Sequence, residues 1–329
     1  MTTLITGATG FVGSAVARVL AGRGHRIRLM ARSGADLSNT EGLDAEHVTG
    51  DLTRPETFDA ALRGCRYLVH VAADYRLWVP DPGRMMTANV TGTRLLMLAA
   101  RRAGVERIVY CSSVAALGLV GDGSIADEET PVDPKKIVGV YKQSKYRAEQ
   151  EVLRLVREAA LPAVIVNPST PVGPRDIKPT PTGRMIADAA NGKMPAFVDT
   201  GLNIVHVDDV AIGHALALER GAVGRKYILG GEDMSLRDLF ALVSDIAQRT
   251  PPRISLDQRV LWPLAIGAET AARVFGIDPV VTREMLSMSK KKMYFSSARA
   301  RAELGYSPRP AREAVEDAVG WFRAHGMVA

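Results

Sequence analysis

The sequence predicts an α/β fold, a doubly wound parallel sheet with a smaller, mostly C-terminal lobe. Three observations predict it. Residues 2–13, Thr-Thr-Leu-Ile-Thr-Gly-Ala-Thr-Gly-Phe-Val-Gly, give a short apolar strand, a glycine-rich turn and the start of a helix. From there to about residue 170, apolar runs of strand length alternate with helical stretches, the pattern of a parallel sheet covered on both faces. Beyond Pro174 the alternation gives way to Pro-, Thr- and Gly-rich sequence and short elements. The expected division is a first domain over residues 1–170 and a lobe over 171–329, with a stretch near 203–230 returning to the sheet.

The totals narrow the class. A chain of 329 residues buries a large core. No apolar run reaches the roughly 18 residues of a membrane span, and the N-terminus is already strand-like, so a cytoplasmic chain without a signal peptide is expected. Cys65 and Cys111, the two cysteines, fall in apolar segments; neither a disulfide framework nor a metal site is expected. The net charge of +6 favours anionic ligands such as phosphates, or an anionic membrane surface. No basic run interleaves with aromatics, which argues against nucleic acid.

Gly7, Gly10 and Gly13 are three apart. In a dinucleotide site the first allows the tight turn, the second lets the backbone approach a pyrophosphate, and the third lets helix pack on strand. The helix N-terminus then offers free N–H groups to the phosphates. A second strand, Arg26–Ala31, ends at Arg32 and Ser33, where a dinucleotide fold reads the adenosine ribose. An arginine there suits a 2′-phosphate, so NADP(H) is favoured and NAD(H) is the alternative. Val48–Asp51 ends a third strand, with Asp51 and Leu52 placed to flank adenine.

Tyr67–Ala73 is a buried parallel strand whose small end, Ala72 and Ala73, admits a cofactor. Tyr75 and Trp78 follow at its carboxyl end as candidate substrate contacts, with packing of the loop as the competing role. Met85–Gly104 is a long amphipathic helix carrying Asn89. Strand Arg107–Cys111 ends in Ser112-Ser113, and Tyr141 and Lys145 share one face of a helix running to about Ala160. Strand Ala163–Asn167 leads into Pro168-Ser169, and Arg175–Gly183 reads as a loop over the site. Next come an element at Asn203–Val207, a helix from Asp208 capped by that residue, strand Tyr227–Gly230 and a helix over Ser235–Arg249. Arg259–Phe275 is apolar almost all round and lies near Lys290, Lys291 and Lys292. It is either the core of the small lobe or a surface for a membrane or lipid-like substrate.

The chemistry follows from Tyr141. Free tyrosine has a pKa of about 10, too high for an efficient base at neutral pH. A lysine four residues on, with the positive ring of an oxidised nicotinamide, stabilises tyrosinate. Tyr141 then exchanges a proton with a substrate oxygen that Ser113 holds, while the cofactor carries the hydride.

Gly7-Ala-Thr-Gly-Phe-Val-Gly13, Ser112-Ser113 and Tyr141-x-x-x-Lys145 together resemble the extended short-chain dehydrogenase/reductase superfamily, also called the NAD-dependent epimerase/dehydratase superfamily. Asn89–Thr93, Tyr110–Val114 and Asn167–Pro174 look like its dihydroflavonol-4-reductase branch. Ala73–Trp78, residues 167–183 and Val198–Asp209 are similar to the hopanoid-associated sugar epimerase family. The resemblance implies a Rossmann-like fold and catalytic Ser113, Tyr141 and Lys145. It implies a cofactor lined by Gly7, Gly10, Phe11, Val12, Arg32, Asp51, Leu52, Ala72, Asn89, Asn167, Pro168 and Ser169. Arg175, Lys178 and His206, inside the same stretches, join Tyr75 and Trp78 as candidate substrate contacts. A small-molecule or lipid-linked sugar substrate, peripheral contact with the inner face of the membrane, and pairing of the 85–104 and 141–160 helices in a homodimer are further expectations by analogy.

Three reactions compete within this likeness. Sugar dehydratases place an Asp-Glu pair after the catalytic hydroxyl residue; here Val114 and Ala115 follow Ser113. Nucleotide-sugar epimerases carry Tyr-Gly shortly after the serine; here Leu117-Gly118 stands there. A reductase acting on a sugar- or polyol-bearing, partly apolar carbonyl substrate fits the residues best, and the hopanoid likeness implies a place in hopanoid side-chain biosynthesis. An epimerase that retains NAD is the alternative, and an NADP-sensing regulator, which would typically lack the tyrosine, is the distant one.

Overall fold

The computed structural model describes all residues except 77, 78, 80, 121, 122, 276–285 and 287–290. Trp78 and Lys290 therefore lie outside the described residues.

Leu4 and Ile5 set the pattern of the large sheet: neighbours in one strand, both fully buried, in two different clusters on its opposite faces. In chain order the strands are β1 (Thr2–Thr6), β2 (Arg26–Ala31), β3 (Ala45–Thr49), β4 (Tyr67–His70), β5 (Arg107–Cys111) and β6 (Ala163–Pro168). They continue with β7 (Thr170–Val172), β8 (Ala196–Phe197), β9 (Gly201–His206) and β10 (Lys226–Leu229). Seven of them form one parallel sheet in the order β10-β6-β5-β4-β1-β2-β3. The order reverses between β1 and β4, and at such a reversal the loops part to leave a crevice at the strands' carboxyl ends. Edge strand β3 is mostly exposed and carries Glu46 and His47, which discourages pairing with another chain.

The helices are α1 (Phe11–Gly22), α2 (Phe58–Leu62), α3 (Pro82–Met86), α4 (Thr93–Arg102), α5 (Val140–Ala159), α6 (Pro181–Ala190), α7 (Val207–Arg220), α8 (Leu236–Ala247), α9 (Gln258–Phe275), α10 (Ala298–Leu304) and α11 (Ala311–Ala324). Helices α1, α7 and α10 cover one face of the large sheet, and α2, α4 and α5 the other. Each fully buried Leu, Ile or Val in these layers contributes about 1.5–3 kcal/mol relative to an exposed one.

The smaller lobe is built around β9. It pairs with β7, with β11 (Glu232–Ser235) and with β13 (Lys292–Met293), while β8 pairs with β12 (Ile254–Ser255). Helices α6, α8 and α11 close a core around Ile204, Phe240 and Phe322. Of the stretch expected to return to the large sheet, β10 pairs with β6 and α7 packs on α1, whereas β9 belongs to the second sheet.

Three local readings are revised. The expected single helix over 85–104 is α3 and α4 joined by a π turn at Thr87–Gly92, the segment that carries Asn89. Helix α6 begins inside the loop expected over 175–183, because Thr180 caps it and Pro181 suits its first turn. The cap of α7 is His206, whose ring accepts the Asp208 N–H; Asp208 lies in the first turn instead. Helix α9 covers Gln258–Phe275 with Pro263 inside it, and it turns Trp262 and Ile266 outward while burying Ala265.

Candidate active site

The glycine turn closes against the end of β4. Gly7 has φ +77°, and a Cβ on it would lie 2.6 Å from the Ala72 nitrogen. A Cβ on Gly13 would collide with the Gly7 carbonyl. Both positions therefore demand glycine, and the Ala72 backbone is the floor beside the turn. Gly10 precedes α1, and no side chain caps that end, so Phe11 and Val12 open the helix with N–H groups available to an anion.

At the end of β2 lies a concavity of about 310 Å³ lined by Arg32, Ser33, Gly34, Ala35, Thr49, Gly50, Asp51, Arg54 and Thr57. Arg32 is where the sequence put it. Arg54 was missed: the tight turn in which its N–H bonds the Asp51 carbonyl at 2.8 Å brings it in. The Asp51 carboxylate accepts from both N–H and hydroxyl of Thr53 at 2.8 Å. Burial raises its pKa, but these bonds and the nearby Arg32 and Arg54 outweigh that and hold it below the usual carboxylate range. Neither arginine forms an ion pair among the described residues. Leu52 packs its backbone and side chain against Gly92 of the π turn.

Ser113, Tyr141 and Lys145 meet at the carboxyl end of β5. Ser113 Oγ accepts the Ala115 N–H at 3.1 Å, which leaves its own proton free to be donated. The Ser113 hydroxyl also faces Tyr141. Burial pushes the Tyr141 phenol up to about 12, and the bond from Ser113 works against that rise. Lys145 lies one turn further along α5; burial lowers its pKa, while Cys111 and Glu149 oppose the loss of its charge.

Asn89 was expected to line the cofactor. Its amide is instead wholly engaged within the chain: Oδ1 accepts the Asp74 N–H at 2.7 Å, and Nδ2 donates to the Asp74 carbonyl at 2.8 Å and to Ser144 Oγ at 2.9 Å. Ser144 in turn donates to the Tyr141 carbonyl at 2.7 Å. The π turn thus ties the loop after β4 to the helix that carries Tyr141. His70 is similarly internal, between Thr6 and Thr93; burial and the charge of Lys145 push it down to about 3, so it stays neutral.

Asn167 Nδ2 donates to the Ser113 carbonyl at 3.0 Å and to Glu149 Oε2 at 2.7 Å. Its Oδ1, and Ser169 Oγ beyond Pro168, are buried without a hydrogen-bond partner among the described residues. Orphaned polar atoms beside Ser113, an uncapped helix start and a glycine-floored turn fit a nicotinamide dinucleotide. The glycine turn and α1 would hold its diphosphate, and the Asn167–Ser169 edge would face its nicotinamide end.

The substrate candidates separate. Tyr75 is 47% exposed; burial, then Asp176 and Asp74, raise its pKa, so the loop after β4 and the segment after β7 approach each other. Arg175 has φ +73°, pairs with Asp208 and offers its carbonyl to Asn39 Nδ2 at 3.1 Å. Lys178 pairs with Asp36 at 3.5 Å, next to the turn that lines the concavity at the end of β2. His206 is buried in its capping role and lies 3.0 Å from Asp317 on α11, so it presents no face to a substrate. Asp176, which the sequence reading did not single out, is pushed up to about 6 by burial although Thr180 bonds its carboxylate. No group of side chains able to hold a metal ion occurs among the described residues.

A parallel sheet with this turn, and a Ser/Tyr/Lys trio at its carboxyl edge, defines a dinucleotide-dependent enzyme of the extended short-chain dehydrogenase/reductase type. The chain belongs to the NAD dependent epimerase/dehydratase family, which residues 3–230 match. A Synechocystis sp. protein, provisionally named a dihydroflavonol 4-reductase, is 42% identical over 98% of this chain and 95% of its own length. Sterol demethylase protein B of Methylococcus capsulatus is 34% identical over the full length of both chains. The crystal structure of gox2253 is 67% identical and superimposes with a TM-score of 0.90 over 100% of this chain and 99% of that one. The family and the reductase-named relatives agree with what the glycine, serine and Tyr-x-x-x-Lys motifs imply. No helix among the described residues is long and apolar enough to cross a membrane.

Proposed function

We propose that the chain is an NADPH-preferring reductase of a carbonyl on a sugar- or polyol-bearing, partly apolar molecule, of the kind a hopanoid side chain presents. One observation carries the reading. Ser113 is followed by the turn Val114–Ala116, whose apolar side chains offer no second acid or base for eliminating water, while the trio needed for proton-coupled hydride transfer is assembled. The names of the Synechocystis and Methylococcus relatives, a reductase and a sterol-acting protein, support a carbonyl chemistry and an apolar body. Trp262 and Ile266, one turn apart on the outside of α9, with exposed Lys291 and Lys292 at the start of β13, suit a lipid-borne substrate at a membrane surface. Arg32 and Arg54, flanking one concavity, suit the 2′-phosphate of NADPH.

A bound nicotinamide supplies the hydride in reduction or takes it in oxidation. The chain supplies the rest. Ser113 donates a hydrogen bond to the carbonyl oxygen. As the carbon accepts the hydride, the π electrons move to that oxygen, and Tyr141 transfers its hydroxyl proton there. Lys145 stabilises the tyrosinate that remains, and solvent returns the proton.

The deciding experiment measures which nicotinamide cofactor the purified protein retains, in which redox state, and the Kd values of NADPH and NADH, followed by NADPH consumption with a ribosyl-lipid aldehyde. A freely exchanging cofactor, tighter NADPH and turnover support the reductase. A tightly retained, oxidised NAD, with interconversion of sugar epimers and no NADPH consumption, replaces it with the epimerase.

A further inference from the structure

Tyr141, Lys145 and Glu149 succeed one another at four-residue intervals and so share one face of α5. The third member has no part in the hydride-transfer scheme, yet its side chain is buried, with only 1% of the residue exposed. A carboxylate in the core is expensive unless something holds it. Asn167, on the neighbouring strand β6, hydrogen-bonds it, and the nearby Ser112 hydroxyl, Lys226 and Lys145 also favour its charge, although burial still raises its pKa above the usual carboxylate range. A single amide nitrogen, Asn167 Nδ2, reaches Glu149 Oε2 at 2.7 Å on one side and the Ser113 carbonyl at 3.0 Å on the other.

We infer that Glu149 is a positioning residue, which fixes Ser113 against Tyr141 through Asn167. The reading rests on the proposed roles of Ser113 and Tyr141. Its logic is geometric. Tyr141 rides on α5, whereas Ser113 sits at the end of β5, so their alignment depends on how α5 is registered against the sheet. Lys145 fixes that register at the Cys111 carbonyl, and the Glu149–Asn167 link fixes it again at the Ser113 carbonyl. Two attachments, one before and one at the serine, remove the freedom that one alone leaves. The Ser113 hydroxyl then meets Tyr141 at the angle needed to share a substrate oxygen, and small misplacements there are costly in rate. Charged and titratable groups face Glu149 from three elements: Lys145 on its own helix, Tyr110 on β5 and Lys226 on β10. Cys111 also faces Tyr141.

The test titrates Tyr141 directly. The protein is labelled with tyrosine carrying ¹³C at Cζ and saturated with NADP⁺; the Tyr141 signal is assigned by its loss in Tyr141→Phe and followed from pH 6 to 11. Ser113→Ala removes a hydrogen bond that favours tyrosinate and raises the Tyr141 midpoint by about 1 pH unit. If the link positions Ser113, Glu149→Leu raises it by a similar amount, and so does Asn167→Ser, which breaks the link from the other end should the leucine variant fail to fold. Glu149→Gln keeps an oxygen for Asn167 and titrates no higher than the wild type. A midpoint unmoved in Glu149→Leu or Asn167→Ser, while Ser113→Ala shifts it, overturns the positioning role and leaves the catalytic assignment standing. A midpoint unmoved in Ser113→Ala overturns the Ser113–Tyr141 pairing and the positioning role with it.

Discussion

Lys145 Nζ donates a hydrogen bond to the carbonyl oxygen of Cys111 at 2.7 Å. The bond joins the helix that carries Tyr141 to the end of the strand that leads into Ser113, and it holds a buried ammonium there. Replacing Lys145 by Met removes the cation that stabilises tyrosinate and the tie to the strand. Steady-state kcat is expected to fall by about 100-fold or more. Lys145→Arg gives little recovery, since a planar guanidinium does not fit the place of a compact ammonium. Turnover within a few-fold of wild type in Lys145→Met would remove the lysine from the mechanism.

Burial pushes Tyr141 up to about 12 in the protein without cofactor, so its hydroxyl keeps the proton through neutral pH. Reduction needs that proton, and oxidation needs it gone. In the reducing direction kcat/KM is therefore flat across neutrality and falls only at alkaline pH; in the oxidising direction it rises with pH. Tyr141→Phe lowers both by roughly 1000-fold and leaves the NADPH Kd near its wild-type value. Rates measured in both directions from pH 6 to 10 check the sign. A reductive rate that climbs with pH contradicts the assignment of Tyr141 as the acid.

Arg32 and Arg54 face one concavity and form no ion pair with described residues. Each charge-assisted bond to a phosphate contributes about 1.5–3 kcal/mol. Arg32→Ala and Arg54→Ala are each expected to weaken NADPH binding by about 10-fold or more and to change NADH binding little. Calorimetric titration of both cofactors against both variants measures this. An equal loss for NADPH and NADH would mean that the arginines hold the adenosine without reading its phosphate.

Asp176 is almost fully buried, and its carboxyl binds its proton at about pH 6 in the folded chain. In the unfolded chain it does so near pH 3.9, the ordinary aspartate value. Between those limits the folded state holds the proton more firmly, so this group's contribution to stability falls as pH rises from about 4 to 6, by roughly 3 kcal/mol, and is constant above. Asp176→Asn, which keeps an acceptor for Thr180, removes that slope. The difference in Tm between variant and wild type, followed from pH 4 to 7, should grow in favour of the asparagine. A difference independent of pH would show that the Asp176 carboxyl titrates alike in the folded and unfolded chain.

How much of this was legible in the sequence depends on whether the cause was local. β1, the glycine turn, α1, β2 and β5 follow from periodicity and glycine placement within a dozen residues, and the structure gives them nearly the same bounds. Ser113 and Tyr141, 28 positions apart, were paired by motif, and the sheet brings them together. Three features escaped because their causes are distant. The π turn depends on Asn89 finding Asp74 and Ser144; a helical periodicity alone gives an unbroken helix. Arg54 reaches Arg32 only through the turn at Asp51, and no spacing signals it. His206 was read as a substrate contact because it lies in a stretch similar to the sugar epimerase family; its partners, Asp208 and Asp317, fix it as a cap. Glu149 was within reach, as the next member of the four-residue series on α5, but a glutamate at that spacing equally describes a solvated helix face.

The chain crosses between its two sheets more than once. β7, β8 and β9 serve the small sheets, α7 and β10 return to the large one, β11 to β13 leave again, α10 packs back on α7, and α11 closes the lobe. No single cut separates the substrate side from the cofactor side. A chimera that exchanges substrate preference with a relative must therefore transplant at least three separate pieces of sequence together, with their seams at Ser169, at His206, at Leu229 and on either side of α10. For the same reason, a destabilising change in the lobe's core is expected to lower the melting of the large sheet along with it.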